Sequence, residues 1–376
     1  MNSKKISIYA RNFNIDPSTY YGIVCVNRAI KEFQFRYRCL IPDNLFVELN
    51  KKHWNGKLTK YIRYCILGVV TLLRATVFFF DDQFFFRPNV VYVNRDIFPH
   101  YTPALLLEWY KELLAGRDVI WRFDDNIFIH EITKQESSLL MEKSRSIAAG
   151  NEYLKSIVPE EYRHKLLPVF AGQIRDPDID LQKVEKAAVV RAAQYEQEVC
   201  LIWLGSASGM SSLQEVLPAM ESAAEKLQHI KKLRLVVVSD RPLEAGTKYL
   251  IIKNVKWTRS GAIEELYKAH IGLMPLPDSD FSRGKSAFKI TQYKCSGIPT
   301  IASDLPIHKA KLKNGDGIIV PFDNYYDNWC QAVINLSNEK TRWENMARIA
   351  QIDVRKDFAS EEEISDRSIR IYNNEL

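Results

Sequence analysis

Residues 271–303 read IGLMPLPDSDFSRGKSAFKITQYKCSGIPTIAS. The run 271–274 is short and apolar and predicts a buried strand. A loop dense in Pro, Ser and Asp follows and opens a helix over 287–295. Gly297 ends that helix, and Pro299 leads into a second strand at 300–302. Strand, helix and strand in succession form the repeating unit of a parallel sheet. In open parallel sheets, ligands sit beyond the carboxyl ends of the strands, where helix N-termini offer N–H groups to anions. The loop after 274 therefore carries the chemistry. Arg283, Lys285 and Lys289 gather three cations around Gly284, and the backbone N–H groups of Ser286 and Ala287 begin the helix. An arginine fork suits bidentate phosphate contacts and a lysine supplies a point charge. A solvated basic loop fits the same residues.

The alternation extends in both directions. Strands are predicted at 199–204, ending in Gly205-Ser206, and at 233–238, 255–257 and 318–320, with helices at 213–227 and 262–269. Towards the N-terminus, strands are predicted at 6–9, 90–93, 119–123 and 146–149, with helices over 20–35 and 103–115. The Asp- and Pro-rich stretch 176–181 reads as a linker. At 376 residues the chain exceeds one ordinary core. The expected organisation is α/β with two doubly wound domains: 1–178, 179–345, and C-terminal helices at 346–376 packing back on the first domain.

Composition narrows the classes. Hydrophobic residues at 46% and charged residues at 26% are globular values and exclude wholesale disorder. The six cysteines include no C-x-x-C pair and no histidine cluster at ligand spacing, so all six are expected as reduced thiols. Residues 1–10 lack a long apolar core and a small-residue cleavage site, which points to the cytoplasm. The apolar run 64–80 is interrupted by Arg74 and closed by Asp81 and Asp82, short of the roughly 20 residues that span a bilayer. It predicts a buried helix or a membrane-surface patch. Beside it, Lys57, Lys60, Arg63 and Arg74 suit either an anionic membrane face or a solvated basic flank. The net charge of +6 is dispersed and accompanies no nucleic-acid motif, so no nucleic-acid partner is expected.

Further candidates lie at strand ends. Asp124 and Asp125 follow the strand 119–123, where they suit acceptor hydroxyls, proton transfer or a helix N-cap. Arg95 ends the strand 90–93. His100 and His130 have no neighbour that fixes an acid–base role. Glu264 and Glu265 open a helix, where carboxylates suit the dipole. No DxD triplet lies in an apolar run, and no metal is expected.

Taken together, 271–303 resembles the donor-site segment of retaining GT-B glycosyltransferases, of the family 4 or group 1 type that builds bacterial surface polysaccharides such as capsule and O-antigen. The likeness takes in IWLGSASGMSSLQEVLPAM at 202–220, VIWRFDDNIF at 119–128 and AAGNEYL at 148–154. It implies two Rossmann-like domains facing across a cleft. The implied reaction is hexosyl transfer (EC 2.4), with retention, from a nucleoside diphosphate sugar to a hydroxyl of a polysaccharide or lipid-linked glycan.

The resemblance assigns donor binding to Gly205, Ser206, Trp257, Thr258, Arg283, Gly284, Lys285, Lys289 and Gln292. Strand-end placement gives the acceptor side to Arg95 and catalysis to Asp124 and Asp125, and the resemblance implies no cofactor and no metal. The N-terminus gives the expectation of a cytoplasmic protein, and the basic flank of the apolar run that of peripheral contact with the anionic inner face of the membrane, or of a solvated surface. Two departures stand out. Many members carry a pair of glutamates where this chain has Gly284 and Gln292, and a cationic pair after the glycine turn is missing from 206–211. They leave open a second reading: an inactive GT-B protein that binds sugar nucleotide or scaffolds polysaccharide assembly.

Overall fold

The computed structural model describes residues 3–51, 57–98, 103–129, 134–168, 175–357 and 361–375. The chain forms two compact units. Unit 1 comprises Met1–Ile174, Gly284–Ser286 and Glu361–Leu376; unit 2 comprises Arg175–Arg283 and Ala287–Ser360. His100 and His130 lie outside the described residues, as do the side chains of Lys57 and Lys60.

Unit 1 is built on a parallel sheet of β1 (Lys4–Ala10), β2 (Phe33–Cys39), β3 (Val90–Asn94), β4 (Asp118–Phe123) and β5 (Ser146–Ala149), in the order β2-β1-β3-β4-β5. Period-2 alternation splits the strand side chains between two cores. Tyr9, Val91, Val93, Val119, Trp121 and Phe123 fill one face. Ile6, Ile8, Val90, Tyr92 and Ile120 fill the other. Burial on both faces is what a parallel sheet covered by crossover helices requires. The helix expected over 20–35 is corrected here: helical structure ends at Arg28, and 33–39 is the edge strand β2, paired with β1 from Lys4↔Phe33 to Ala10↔Cys39. Its FQFRYRC pattern alternates, and the charges of Arg36 and Arg38 suit an edge.

The apolar run forms a helix, Lys57–Phe80, continued by a π-helical segment, Asp81–Phe86. Its apolar part is longer than the sequence implied: Tyr61–Phe86 is 26 residues long and contains an 18-residue window of mean hydropathy 1.7, enough to cross a membrane by length and composition. It is also not a buried helix, because only 22% of that window is buried. Asp81 and Asp82 do not break it, since both carboxylates bind Arg38 and Asp81 also binds Arg36.

Helix Glu361–Asn373 closes unit 1. Tyr372 packs edge-on against Phe33, Phe35 and Tyr92. Ser365 donates to the carbonyl of Val26 at 2.8 Å. Position 346, where the C-terminal helices were expected to begin, falls inside helix Lys340–Asp357 of unit 2.

Unit 2 holds β6 (Glu198–Leu204), β7 (Lys232–Ser239), β8 (Ile251–Lys256), β9 (Ile271–Met274), β10 (Thr300–Ser303) and β11 (Gly317–Val320). The sheet is parallel throughout, in the order β11-β10-β9-β6-β7-β8. The strand expected at 255–257 lies earlier, because 251–256 pairs with β7 from Arg234↔Ile251 to Ser239↔Lys256.

Counted within each unit, the strand orders are 2-1-3-4-5 and 3-2-1-4-5-6. Both are doubly wound orders whose direction of winding reverses once, and ligands bind at that reversal. It falls between β1 and β3 in unit 1 and between β6 and β9 in unit 2.

Candidate sites at the two sheet edges

In unit 2, β6 and β9 pair only through Leu201↔Ile271 and Ile202↔Gly272, then part. The Tyr293 hydroxyl bridges them beyond that point, donating to the Leu273 carbonyl at 3.1 Å and accepting from the Leu204 N–H at 3.3 Å. Its ring reaches this position because Gly272 lacks a Cβ, which would lie 2.4 Å from the ring. The loops leaving β6 and β9 are those that carry Gly205-Ser206 and the cationic segment.

Gly205 turns tightly above Trp203: a Cβ there would lie 2.2 Å from the indole, so the position accepts only glycine. The same buried indole lies under the Lys289 ammonium, 4.6 Å from the ring centre. Trp203 thus brings together two motifs that are far apart in sequence. Lys289 stands in the first turn of helix Phe288–Cys295, which follows Ala287 in a left-handed conformation (φ 50°) with no capping side chain.

Other expected donor residues have protein partners. Arg283 forms a fork on Asp278, with 2.9 and 3.0 Å contacts, which neutralises its charge within its own loop. The Gln292 amide nitrogen donates to buried Asp176 at 2.9 Å. The Ser206 and Ser208 hydroxyls lie 2.7 Å apart. The Trp257 N–H donates to the Ser239 carbonyl at 2.9 Å, and the Thr258 hydroxyl caps helix Arg259–Lys268 through the Gly261 N–H.

In unit 1, charged groups crowd the carboxyl ends of β1, β3 and β4. Arg11 forks onto Asp96. Arg95 Nη1 lies 2.8 Å from Asp125, and Lys285 Nζ lies 2.7 Å from its other oxygen. Gly284 and Lys285, expected as donor residues, are therefore packed within unit 1. A Cβ on Gly284 would lie 2.8 Å from the backbone of Asn126, and Asn151 donates to the Lys285 carbonyl at 2.9 Å. Arg95 adopts a left-handed backbone (φ 73°), which strains a non-glycine residue. Its N–H donates to Arg122 and its carbonyl accepts from the Trp121 indole, so both neighbouring peptides are pinned.

Electrostatics separates the carboxylates. Burial pushes the Asp125 carboxyl up, but the charges of Arg95 and Lys285 outweigh it and hold the group below the ordinary range. Burial, then the nearby charge of Asp124, raises Asp16 instead. Asp124 is buried near Arg122 at 3.9 Å, and its Oδ1 has no hydrogen-bond partner among the described residues. A buried carboxylate oxygen in that state is an acceptor awaiting a donor.

No protein-family description matches the sequence, and no curated protein does. Solved structures do match. A glycosyltransferase from Rickettsia africae is 14% identical with a TM-score of 0.64, covering 100% of this chain and 99% of that one. Anabaena HepE, solved with UDP and glucose, is 8% identical with a TM-score of 0.64, covering 99% and 100%. A putative UDP-N-acetylglucosamine 2-epimerase from Listeria monocytogenes is 11% identical with a TM-score of 0.55, covering 100% and 98%.

The chain has the GT-B fold. Within its GT-B units, reading the sequence missed Trp203, Tyr293, Arg11 and Asp16. Asp16 was the most accessible: Asp-Pro at 16–17 is an N-cap signature, and its carboxylate accepts from the Ser18 N–H. Trp203 and Tyr293 lie inside a strand and a helix and are buried core residues, with nothing in one dimension to set them apart. Among the described residues no group of three or more His, Cys, Asp or Glu is placed to hold a metal ion.

Proposed function

We propose that the protein is a glycosyltransferase that moves a sugar from a nucleoside diphosphate sugar to a hydroxyl of a polysaccharide or lipid-linked glycan. The observation that carries this reading is the arrangement at the β6–β9 reversal of unit 2. Gly205 leaves room for close backbone approach, Lys289 supplies a positive charge, and an N-terminus without a side-chain cap supplies a partial one. Likeness to a GT-B protein solved with UDP and glucose agrees with a nucleotide-sugar ligand.

In the proposed reaction the bond from the anomeric carbon to the diphosphate breaks while the acceptor oxygen bonds that carbon. The acceptor proton passes to the departing phosphate, so retention needs no protein nucleophile. Lys289 stabilises the negative charge that develops on the leaving group. In unit 1, Asp124 and Asp125 would hold acceptor hydroxyls, and Arg95 would meet an acceptor phosphate. No metal takes part in this scheme. The proposed setting is the cytoplasmic face of a membrane.

A second reading, an inactive protein that binds sugar nucleotide, draws support from Gln292 and Arg283, whose polar groups already have partners in Asp176 and Asp278. Calorimetry against UDP, GDP and CMP and their sugars, followed by turnover assays with a glycan acceptor, separates the readings. Binding with acceptor-dependent release of nucleotide supports transfer. Binding without turnover supports the second reading. Turnover of a UDP-sugar with no acceptor would replace both with epimerase-type chemistry, and no binding would remove the donor assignment.

A further inference from the structure

The helix Lys57–Phe80 and its continuation Asp81–Phe86 are apolar along two opposite edges. On the inner edge, Leu67, Ala75, Phe79 and Phe86 are buried in unit 1. On the outer edge, Val69, Leu73, Val77, Phe80 and Phe84 recur every three or four residues and are exposed, Leu73 at 64% and Val77 at 63%, with Phe85 beside them at 77%. Residues three and four apart share one helix face, so these side chains form a continuous stripe. A water-facing helix edge ordinarily carries polar residues, and an apolar strip of this length marks an interaction surface.

The helix is held lengthwise against unit 1. Asp82 is buried and accepts from Ser7 at 2.8 Å and Tyr9 at 2.6 Å, both on β1, while the Tyr110 hydroxyl donates to the Ala75 carbonyl at 2.8 Å. These contacts keep it on the unit's surface and rule out a crossing of the bilayer by this helix while unit 1 stays folded.

Charge selects the partner. Between Glu48 and Asp81 the sequence holds Lys51, Lys52, Lys57, Lys60, Arg63 and Arg74 and no acidic residue. The acids that end the segment, Asp81 and Asp82, are bound by Arg36 and Arg38. An apolar edge on a cationic segment fits an anionic lipid leaflet, with the helix lying in the interface plane. A symmetric pairing of two copies through this edge would bring two such cationic segments together, which like-charge repulsion opposes.

We propose that the outer edge of this helix docks on anionic bilayers and seats unit 1 there. This deepens the proposed function by naming the surface that meets the membrane, yet it needs no nucleotide, so the two fail separately. The test is sedimentation of the full chain with vesicles of phosphatidylcholine alone or mixed equally with phosphatidylglycerol. Light scattering gives the oligomeric state, and nucleotide calorimetry runs alongside. The protein should sediment with the mixed vesicles and largely remain in solution with phosphatidylcholine alone. The double variant Leu73→Glu, Val77→Glu should partition at least tenfold less while keeping the wild-type melting temperature and nucleotide affinity. No sedimentation with the mixed vesicles, equal sedimentation with both compositions, or undiminished partitioning of the double variant would each overturn the proposal. So would a dimer that the double variant dissociates without any vesicle binding.

Discussion

The Lys289 ammonium sits 4.6 Å from the centre of the Trp203 ring, and that ring fills the space beneath Gly205. One buried indole therefore fixes both the cation and the backbone turn at the strand reversal of unit 2. If the proposed donor site is right, Lys289→Ala removes a charge-assisted contact worth about 1.5–3 kcal/mol. Calorimetry should then show roughly ten- to hundredfold weaker nucleotide binding. The melting temperature should hardly move, because an exchange at a cation–π contact costs only about 1 kcal/mol or less at a partly exposed site.

Gly205→Ala tests the turn itself. The added Cβ would lie 2.2 Å from an indole enclosed in the core, and neither group has room to yield. Overpacking of this kind costs about 1–3 kcal/mol, which urea unfolding should register as a lower midpoint with unchanged slope.

Tyr293→Phe removes the hydroxyl that links β6 to β9 and leaves the Leu204 N–H without that partner. The expected loss is about 1–3 kcal/mol, read by the same urea titration. Faster amide exchange at Leu204 than in the rest of β6 would locate the effect.

Asp125 ties acid stability to Arg95. Its carboxyl is held below the ordinary range in the folded protein, so its contribution is fully present above the unfolded value and is lost as pH falls through the folded one. Arg95→Ala removes the stronger of the two opposing charges and should narrow that window. Urea midpoints taken between about pH 3 and 6 should start lower in the variant and fall less steeply with acid than in the wild type. Superimposable profiles would contradict the coupling.

Glu136 acts in the opposite direction. It is buried, it accepts from the backbone N–H groups of Ile97 and Phe98, and burial, then the charge of Asp96, pushes its carboxyl up to about 8. The folded state keeps this proton where the unfolded state has released it, so stability declines as pH rises from the unfolded value towards the folded one. Wild-type melting temperatures should drop between about pH 5 and 8, and Glu136→Gln should flatten that decline.

Local pattern was enough for most of the fold. Apolar runs such as 233–238 and 271–274, punctuated by Gly205 and Gly297, announce alternating strands and helices, because both periodicities are properties of the backbone that burial then exploits. The region 20–39 defeated that approach. Ile23, Val26, Ile30 and Phe33 recur at helical spacing while Phe33, Phe35 and Tyr37 alternate as in a strand, and only pairing with β1 decides where one pattern gives way to the other.

Sequence also picked out Gly205, Lys289, Arg95 and Asp125, since glycines and charges at strand ends are visible in one dimension. Which of these side chains meet was settled by tertiary structure alone. The Lys285 ammonium is committed to Asp125, the Arg283 fork to Asp278 and the Gln292 amide to Asp176, while Lys289 rests on Trp203. The same holds for the helix Lys57–Phe80. Its composition is written in the sequence, but the exposure of one apolar edge depends on which edge unit 1 covers. Periodicity encodes that a helix has faces; the packing of distant segments chooses which face is left outside.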